Sequence, residues 1–258
     1  MKDVFLRWFT GVVFFVLYAP IFVLIIYSFN SSSSRSVWGG FTLRWYFQLC
    51  RNTQVLRATL NTLVIATCAS SFAAVLGTLA CAGLVNSKKM LQNLVVSLTN
   101  LPMINPEIVT GISLMLFFVS FFRLTGFLKP GMITLILAHS MFCAPYVFLA
   151  VLPKIKQITP QIPEAAQDLG CTPLQAFFKV LLPEITPGII TGIMMSFTMS
   201  LDDFTISYFT SGNVQTLPII IYSMTRRSIS PEINALSALL FLLLIALFLI
   251  INLRQGKK

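Results

Sequence analysis

The chain has 258 residues, of which 56% are apolar and only 10% carry a charge, and its mean hydropathy is +0.85. Soluble domains carry roughly 25% charged residues, so this chain has too few polar side chains to cover a water-facing surface. The composition excludes a soluble globular protein and predicts an integral membrane protein.

The net charge of +10 arises from 18 lysines and arginines against 8 acids. On a soluble domain this excess would indicate nucleic-acid binding. Here the basic residues cluster between apolar runs and at the chain ends, where they anchor segments at a membrane interface. We therefore expect a lipid bilayer, and no nucleic acid, as a partner. The 5 cysteines show no CxxC spacing, which argues against a disulfide framework and against a metal site.

Six apolar stretches are long enough to cross a bilayer, which takes about 20 residues as a helix. Lys2 and Arg7 precede the first stretch, but no small-residue cleavage site follows it, so we expect a transmembrane helix rather than a signal peptide. Six spans would place both termini on the same side, and we predict a single all-α transmembrane domain over residues 1–258. In chain order, the predicted spans cover approximately residues 8–29, 58–85, 106–122, 132–152, 186–208 and 233–253.

Three features inside these stretches predict local structure. Pro106 restricts helix formation at its own position and the one before it, so we expect an irregular segment or a separate short helix ahead of the third span. Gly188 and Gly192, four residues apart, would let the fifth helix pack closely on a neighbour. His139, the single histidine, is expected to form hydrogen bonds between helices rather than to relay protons.

The longest polar stretch apart from the first loop, residues 153–183, separates the fourth and fifth spans. Gly170 permits a sharp turn within it, and Pro173 can begin a short helix beyond that turn. The residues alone are compatible with a solvated connector. They are equally compatible with two short helices that dock into a groove on another protein.

The spacing of this loop is that of a known family. Glu164-Ala165-Ala166 is followed by Gly170 and then, after nine residues, by Val180-Leu181-Leu182-Pro183, which resembles the EAA loop of the permease subunits of bacterial ABC importers. Four further motifs resemble the second permease of spermidine/putrescine importers. These are YSFNSS (27–32), FTLRWY (41–46), SFTMSLDDF (196–204) and SPEINAL (230–236).

The resemblance implies a type I ABC importer permease in the bacterial cytoplasmic membrane, with both termini in the cytoplasm and a polyamine as the substrate. It implies three kinds of protein partner: a homologous second permease, two copies of a cytoplasmic ATPase and an extracytoplasmic binding protein. The ATPase would contact Glu164, Ala165, Ala166, Asp168 and Gly170. ATP and magnesium would bind to that ATPase, because this chain has no Walker A motif and no catalytic constellation. We therefore expect no cofactor in this chain and no enzymatic activity of its own.

Two adjacent acids, Asp202 and Asp203, lie in the predicted fifth span, about 25 Å along a continuous helix from Thr186. Ionisable groups at membrane depth usually face a cavity or a partner. Neighbouring residues on a helix point about 100° apart, so we expect one acid to face the substrate path and the other to bind a neighbouring element. The sequence does not show which. Ser200 shares the face of Asp203 and would add an oxygen to a site for an ammonium group.

Glu107 and Trp45 complete the predicted substrate path. Glu107 begins the third span, so we expect it near the cytoplasmic end, either as an exit-side contact for a cation or as a carboxylate favoured by the helix dipole. Trp45 could bind an ammonium group by cation–π attraction or anchor the chain at the interface. The resemblance favours the path for both, because these positions match an acidic position and the outer-gate tryptophan of polyamine permeases.

Two alternatives remain for the function. The first is an ABC permease for another small cation, such as iron or thiamine; an anionic solute fits the acids less well. The second is an ATPase-independent carrier or channel, which predicts transport that follows an ion gradient and is unaffected by changes at Glu164 or Gly170.

Overall fold

The computed structural model describes residues 2–32, 37–84, 87–158, 161–227 and 231–255. Regular secondary structure in these ranges is helical, and one isolated antiparallel bridge joins Asn30 to Phe41. The helices are α1 (Lys2–Tyr27), α2 (Arg44–Arg51), α3 (Thr53–Leu84), α4 (Lys89–Ile104), α5 (Glu107–Thr125), α6 (Met132–Gln157), α7 (Gln161–Asp168), α8 (Pro173–Ala176), α9 (Leu182–Asp202), α10 (Thr205–Thr210), α11 (Leu217–Arg227) and α12 (Pro231–Gln255), and a π-helical segment (Phe177–Leu181) joins α8 to α9.

Five helical stretches among the described residues are long and apolar enough to cross a membrane. They are Leu6–Tyr27, Thr53–Leu84, Glu107–Thr125, Met132–Gln157 and Pro173–Asp202. The sixth predicted span, residues 233–253, falls in α12 (Pro231–Gln255). The all-α membrane fold is therefore confirmed, whereas the count of six spans stays a prediction.

The segment before α5 forms a helix of its own, α4, which is one of the two outcomes expected there. The backbone leaves the helical region at Asn105 (ψ 138°) and Pro106 (ψ 130°) before α5 starts. Pro106 has no N–H to donate, and its ring disfavours the helical conformation at Asn105. The chain can therefore change direction at this point.

The internal contacts divide the chain into two compact units. Residues 1–57 together with 220–258 form the first unit, in which α1 and α2 both pack against α12. Residues 58–219 form the second unit and contain the α6–α9 pair, which is the most extensive helix contact there.

Asn30 is the hydrogen-bonding centre of the first unit. Its side chain is buried, donates to the carbonyl of Val37 (2.9 Å) and accepts from the backbone N–H of Gly39 (2.8 Å). Its own carbonyl accepts from Nε1 of Trp45 at 2.7 Å. Two of the family-like motifs, 27–32 and 41–46, are therefore joined to each other through Asn30.

Val147 lies at the centre of the second unit, where α3, α6 and α9 meet. A Cβ on Gly192 of α9 would lie 2.8 Å from the Cα of Val147, and one on Gly77 of α3 would lie 2.9 Å from the Val147 Cβ. On Gly188, a Cβ would lie 3.0 Å from the carbonyl oxygen of Ala150. The expected close packing at Gly188 and Gly192 is confirmed, and α6 is the helix that they contact.

Replacing Gly192 by alanine should destabilise the second unit by about 1–3 kcal/mol, because the new methyl group meets the backbone of α6 rather than a flexible side chain. Gly83 provides the matched control, since it also lies in a helix but has open space around its Cβ position. We expect thermal unfolding of the purified chain in detergent to show a lower Tm for Gly192→Ala and an unchanged or higher Tm for Gly83→Ala. Equal Tm values for the two variants would contradict the packing assignment.

Candidate functional site

Helix α9 has two faces of different character. One face packs against α6 and is buried, and it consists of Ile185, Gly188, Gly192, Ser196 and Ser200. The opposite face is exposed and carries Thr191, Met195, Thr198 and Asp202. A carboxylate on an exposed face of a membrane-spanning helix is typical of a surface that lines a polar path or meets another subunit, not of one that faces lipid.

Helix α9 ends at Asp202, and Asp203 caps the next helix. The backbone of Asp203 is extended (φ −63°, ψ 116°). Its carboxylate accepts hydrogen bonds from the backbone N–H groups of Ile206 (3.2 Å) and Ser207 (2.8 Å) in the first turn of α10. First-turn N–H groups have no partner within their own helix, and aspartate is among the best residues to supply one. The predicted fifth span, residues 186–208, is therefore formed by two helices, α9 and α10, rather than by one.

His139 of α6 joins the elements on both sides of this break. Its Nδ1 lies 2.7 Å from Oγ of Ser200, and its Nε2 lies 3.0 Å from Oγ of Ser207 and 3.4 Å from Oδ2 of Asp203. All four residues are buried, with His139 only 1% exposed. His139 is thus a hydrogen bonder between helices, as predicted. Ser200 and Asp203 do lie on a common side, but in this structure they face His139.

The two adjacent acids have opposite environments. The side chain of Asp203 is only 2% exposed, whereas Asp202 is exposed on the polar face of α9. The two acids do have different surroundings, as expected. They do so because the chain leaves the helix between them, and not because they point about 100° apart on one helix. Of the two, Asp202 is the one with an exposed side chain.

Glu107 lies close to Asp202. Helix α5 packs against α10, with Gly111 so near that its Cβ would lie 2.9 Å from the ring of Phe209. Glu107, one turn before Gly111, is exposed and near enough to Asp202 for the two carboxylates to repel each other. The structure therefore brings two of the predicted path acids together.

Glu107 also interacts electrostatically with Tyr146 of α6 (Met132–Gln157). The position predicted for Glu107 near the cytoplasmic end of the third span stays a prediction.

Trp45 belongs to the first unit and is 8% exposed. Besides the hydrogen bond from its Nε1 to Asn30, its ring lies 5.8 Å from the guanidinium carbon of Arg44. The indole is therefore held in place by its N–H group, and one cation–π contact is already formed within the chain.

The predicted coupling segment is the short helix α7, a tight turn and the start of a helical stretch that continues from Pro173 to Asp202, so the fifth span begins earlier than the predicted residue 186. Gly170 has φ +91° after α7, and the N–H of Cys171 donates to the carbonyl of Ala166 at 3.1 Å, a typical glycine-dependent helix end. Thr172 then caps α8, whose first residue is Pro173. The turn predicted at Gly170 and the helix start predicted at Pro173 are confirmed.

The turn presents an exposed surface. Ala165, Asp168 and Gly170 are exposed and Ala166 is half-buried. Glu164 falls within α7, but its side chain lies outside the described part of the structure. Leu169 is 87% exposed.

Residues 70–256 match the family described as the binding-protein-dependent transport system inner membrane component. The chain belongs to this family. The permease is 42% identical over 230 residues to the putrescine transport system permease protein PotI of Escherichia coli strain K12, covering 88% of this chain and 82% of the relative. It is 33% identical over 251 residues to the spermidine/putrescine transport system permease protein PotC of Haemophilus influenzae, covering 97% of this chain and 96% of the relative.

A solved structure supports the fold independently. The permease matches a chain of a bacterial ABC transporter involved in the import of the acidic polysaccharide alginate, with a TM-score of 0.74 and 12% identity, covering 97% of this chain and 95% of that chain. The resemblance to ABC importer permeases is confirmed, and so is the type I fold. The permease is an inner membrane protein of a transport family.

Sequence reasoning missed α10 and the role of Ser207. One signal was present: an aspartate three residues before Ile206 is an N-cap candidate, even within an apolar stretch. The contact of His139 with Ser207 had no signal in the sequence, because 68 residues separate the two.

Proposed function

We propose that this chain is a permease subunit of an ABC importer that carries the polyamines putrescine or spermidine, or both, into the bacterial cytoplasm. The observation that carries the proposal is the placement of two exposed carboxylates: Asp202 ends α9 just before α10, and Glu107 begins α5, which packs against α10. The similarity to the putrescine permease supports the same substrate class.

The paired carboxylates suit a solute with more than one positive charge. Two like charges close together in a region of low dielectric repel each other, so the site is more stable when a cation lies between or beside them. Ammonium groups offer charge and hydrogen-bond donors at once. A diamine can place one ammonium at Asp202 and the other at Glu107, whereas phosphate or sulfate would be repelled. Ser200 and Asp203 then support the site from behind Asp202.

The α7–α8 turn is the proposed contact with the ATPase. Leu169 and Leu174 are 87% and 71% exposed, and Phe178 of the π-helical segment is 59% exposed, so an apolar surface projects from the turn. Short helices with an apolar face dock into grooves of partner proteins. We place Glu164, Ala165, Ala166, Asp168 and Gly170 in this contact, with ATP and magnesium bound by the ATPase.

We propose the assembly that the family resemblance implies. The chain pairs with a homologous second permease, with two copies of the ATPase at the α7–α8 turn and with a binding protein on the opposite side of the membrane. Both termini are cytoplasmic. Closure of the ATPases moves the paired turns together, and the helices rock between inward-facing and outward-facing states around the Asp202–Glu107 pair.

Uptake by the whole transporter tests this function. The chain would be produced with its partner permease, ATPase and binding protein in a host that lacks polyamine import, and radiolabelled putrescine and spermidine would be supplied. We expect uptake that requires ATP and is insensitive to collapse of the membrane potential. Uptake that follows the ion gradient instead would support a carrier. Absence of polyamine uptake from an assembled complex would exclude the polyamine, and iron and thiamine would be tested next.

A matched pair of substitutions tests the path role of Trp45. Phenylalanine and leucine at this position both remove the N–H donor to Asn30, but only phenylalanine keeps an aromatic face. Because cation–π contacts contribute about 0.5–2 kcal/mol, Trp45→Leu should lower uptake several-fold more than Trp45→Phe. Uptake per assembled transporter is the measurement. Equal uptake by the two variants would assign Trp45 a structural role alone.

A further inference from the structure

The buried residues behind Asp202 form a hydrogen-bonded network around His139, although apolar side chains could fill the same space. Both ring nitrogens of His139 are engaged, Nδ1 with Ser200 at 2.7 Å and Nε2 with Ser207 at 3.0 Å. A leucine would fill much of the same volume without any polar group. Burying an imidazole is favourable only when its nitrogens are satisfied, and here each nitrogen contacts a different helix.

The network crosses the break between α9 and α10, which lies directly after Asp202. Ser200 lies two residues before Asp202 on α9, and Ser207 lies in the first turn of α10. Asp203 adds a second connection across the break, because its Oδ2 lies 3.4 Å from Nε2 of His139 while it caps α10. The end of α9 and the start of α10 are therefore both fixed to α6 through one side chain.

The same start of α10 packs against α5, the helix that begins with Glu107. Gly111 of α5 approaches Phe209, and its Cβ would lie 3.5 Å from the carbonyl oxygen of Thr205. A shift of α10 relative to α9 would thus move Glu107 relative to Asp202. The separation of the two carboxylates depends on the geometry of the break.

We propose that His139 is a positioning residue that sets the separation between the carboxylates of Asp202 and Glu107, and through it the spacing of ammonium groups that the permease accepts. This inference rests on the proposed polyamine function. It assigns His139 no contact with the substrate. It predicts that disturbing His139 changes which amine is carried, not only how much.

Three substitutions at His139 separate positioning from packing. Leucine removes both polar contacts. The shorter amide of asparagine can replace the contact made by Nδ1, and the longer amide of glutamine can replace the contact made by Nε2. Each variant would be assayed in the complete transporter with one unchanged binding protein, so that any change in selectivity arises in the permease. The substrates are diamines with three, four or five methylene groups, and KM and maximal uptake rate are measured for each.

A positioning role predicts a change in ratios. We expect His139→Leu to raise KM for the preferred diamine by about tenfold, since a site held loosely loses affinity, and to change the uptake ratio between the diamines by at least about twofold. His139→Gln should restore the native ratio more fully than His139→Asn, because it keeps the contact on the Ser207 and Asp203 side.

The outcomes distinguish a failure of the positioning role from a failure of the proposed polyamine function. If the native transporter carries none of the diamines, the proposed function fails, and the assignment of His139 fails with it. If the native transporter carries them and all three variants keep native ratios and KM values, the positioning role alone is wrong. Should His139→Leu not assemble, Ser207→Ala removes one contact with little change in volume, and native ratios in that variant would likewise overturn the proposal.

Discussion

Replacing Asp202 by asparagine is expected to lower polyamine uptake about tenfold to a hundredfold without preventing assembly. A hydrogen bond to a charged group contributes roughly 1.5–3 kcal/mol, and the asparagine amide keeps the size of the side chain while removing its charge. Asp202 is exposed and ends α9, so the substitution creates no buried defect. Initial uptake rates, normalised to the amount of assembled complex in the membrane, provide the measurement.

Glu184→Gln is the matched control for Asp202→Asn, because Glu184 is also an exposed acid on α9 but lies in its first turn. We expect native uptake from this variant. Asp203→Asn should behave differently from both: an amide has only one oxygen to replace the two that accept from Ile206 and Ser207. A buried N–H left without an acceptor costs about 1–3 kcal/mol, so Tm should fall together with uptake. Native uptake by Asp202→Asn, with Asp203→Asn inactive but stable, would transfer the path role from Asp202 to Asp203.

Replacing Gly170 by aspartate is expected to abolish uptake while leaving insertion and folding of the transmembrane helices intact. Gly170 has φ +91°, a conformation that costs a residue with a side chain roughly 1–2 kcal/mol. Its Cβ position meets nothing within 4 Å, so the cost is backbone strain and not a clash. Relief of that strain would redirect Leu169 and α8, and the added charge would face the proposed ATPase groove. Uptake and binding-protein-stimulated ATP hydrolysis should be lost together.

Gly126 offers a close control for this change. It ends α5 with φ +69°, and its Cβ position is equally open, so Gly126→Asp introduces similar strain and the same charge at a distant turn. We expect Gly126→Asp to keep most of the uptake and of the stimulated ATPase activity. Equal losses in both variants would mean that strain alone inactivates the protein, and the docking role of the α7–α8 turn would be wrong.

Local signals in the sequence predicted those parts of the structure that depend on a few neighbouring residues. Pro106 ends a helix because of its own ring, and Gly170 turns the chain because it lacks a side chain; neither effect needs a distant partner. The glycines of α9 were predicted to permit close packing, and they do. The loop between Glu164 and Pro183 likewise contains a turn at Gly170 and a helix that begins at Pro173, as the sequence predicts.

The break between α9 and α10 could not be predicted, because it depends on contacts between residues far apart in the chain. An apolar stretch over residues 186–208 favours one helix, but Asp203 stabilises a second helix by capping it, and His139 holds the break from across the unit. Nothing local decides which of these wins. The depth of Glu107 in the membrane stays a prediction for a related reason: the hydropathy of residues 106–122 shows that they are apolar, not where they pack.

The contact of Val147 with two glycines has a mechanical consequence. With no side chain on Gly77 or Gly192 between the helices, α3, α6 and α9 touch through their backbones, and such contacts cannot be compressed or slide freely. The stretch of α9 from Gly188 to Ser200 covers about 18 Å and lies against α6 throughout. A force applied where α9 begins, beside the π-helical segment, would therefore move the three helices together as one rigid body, and the motion would reach Asp202 without being lost to sliding between the helices.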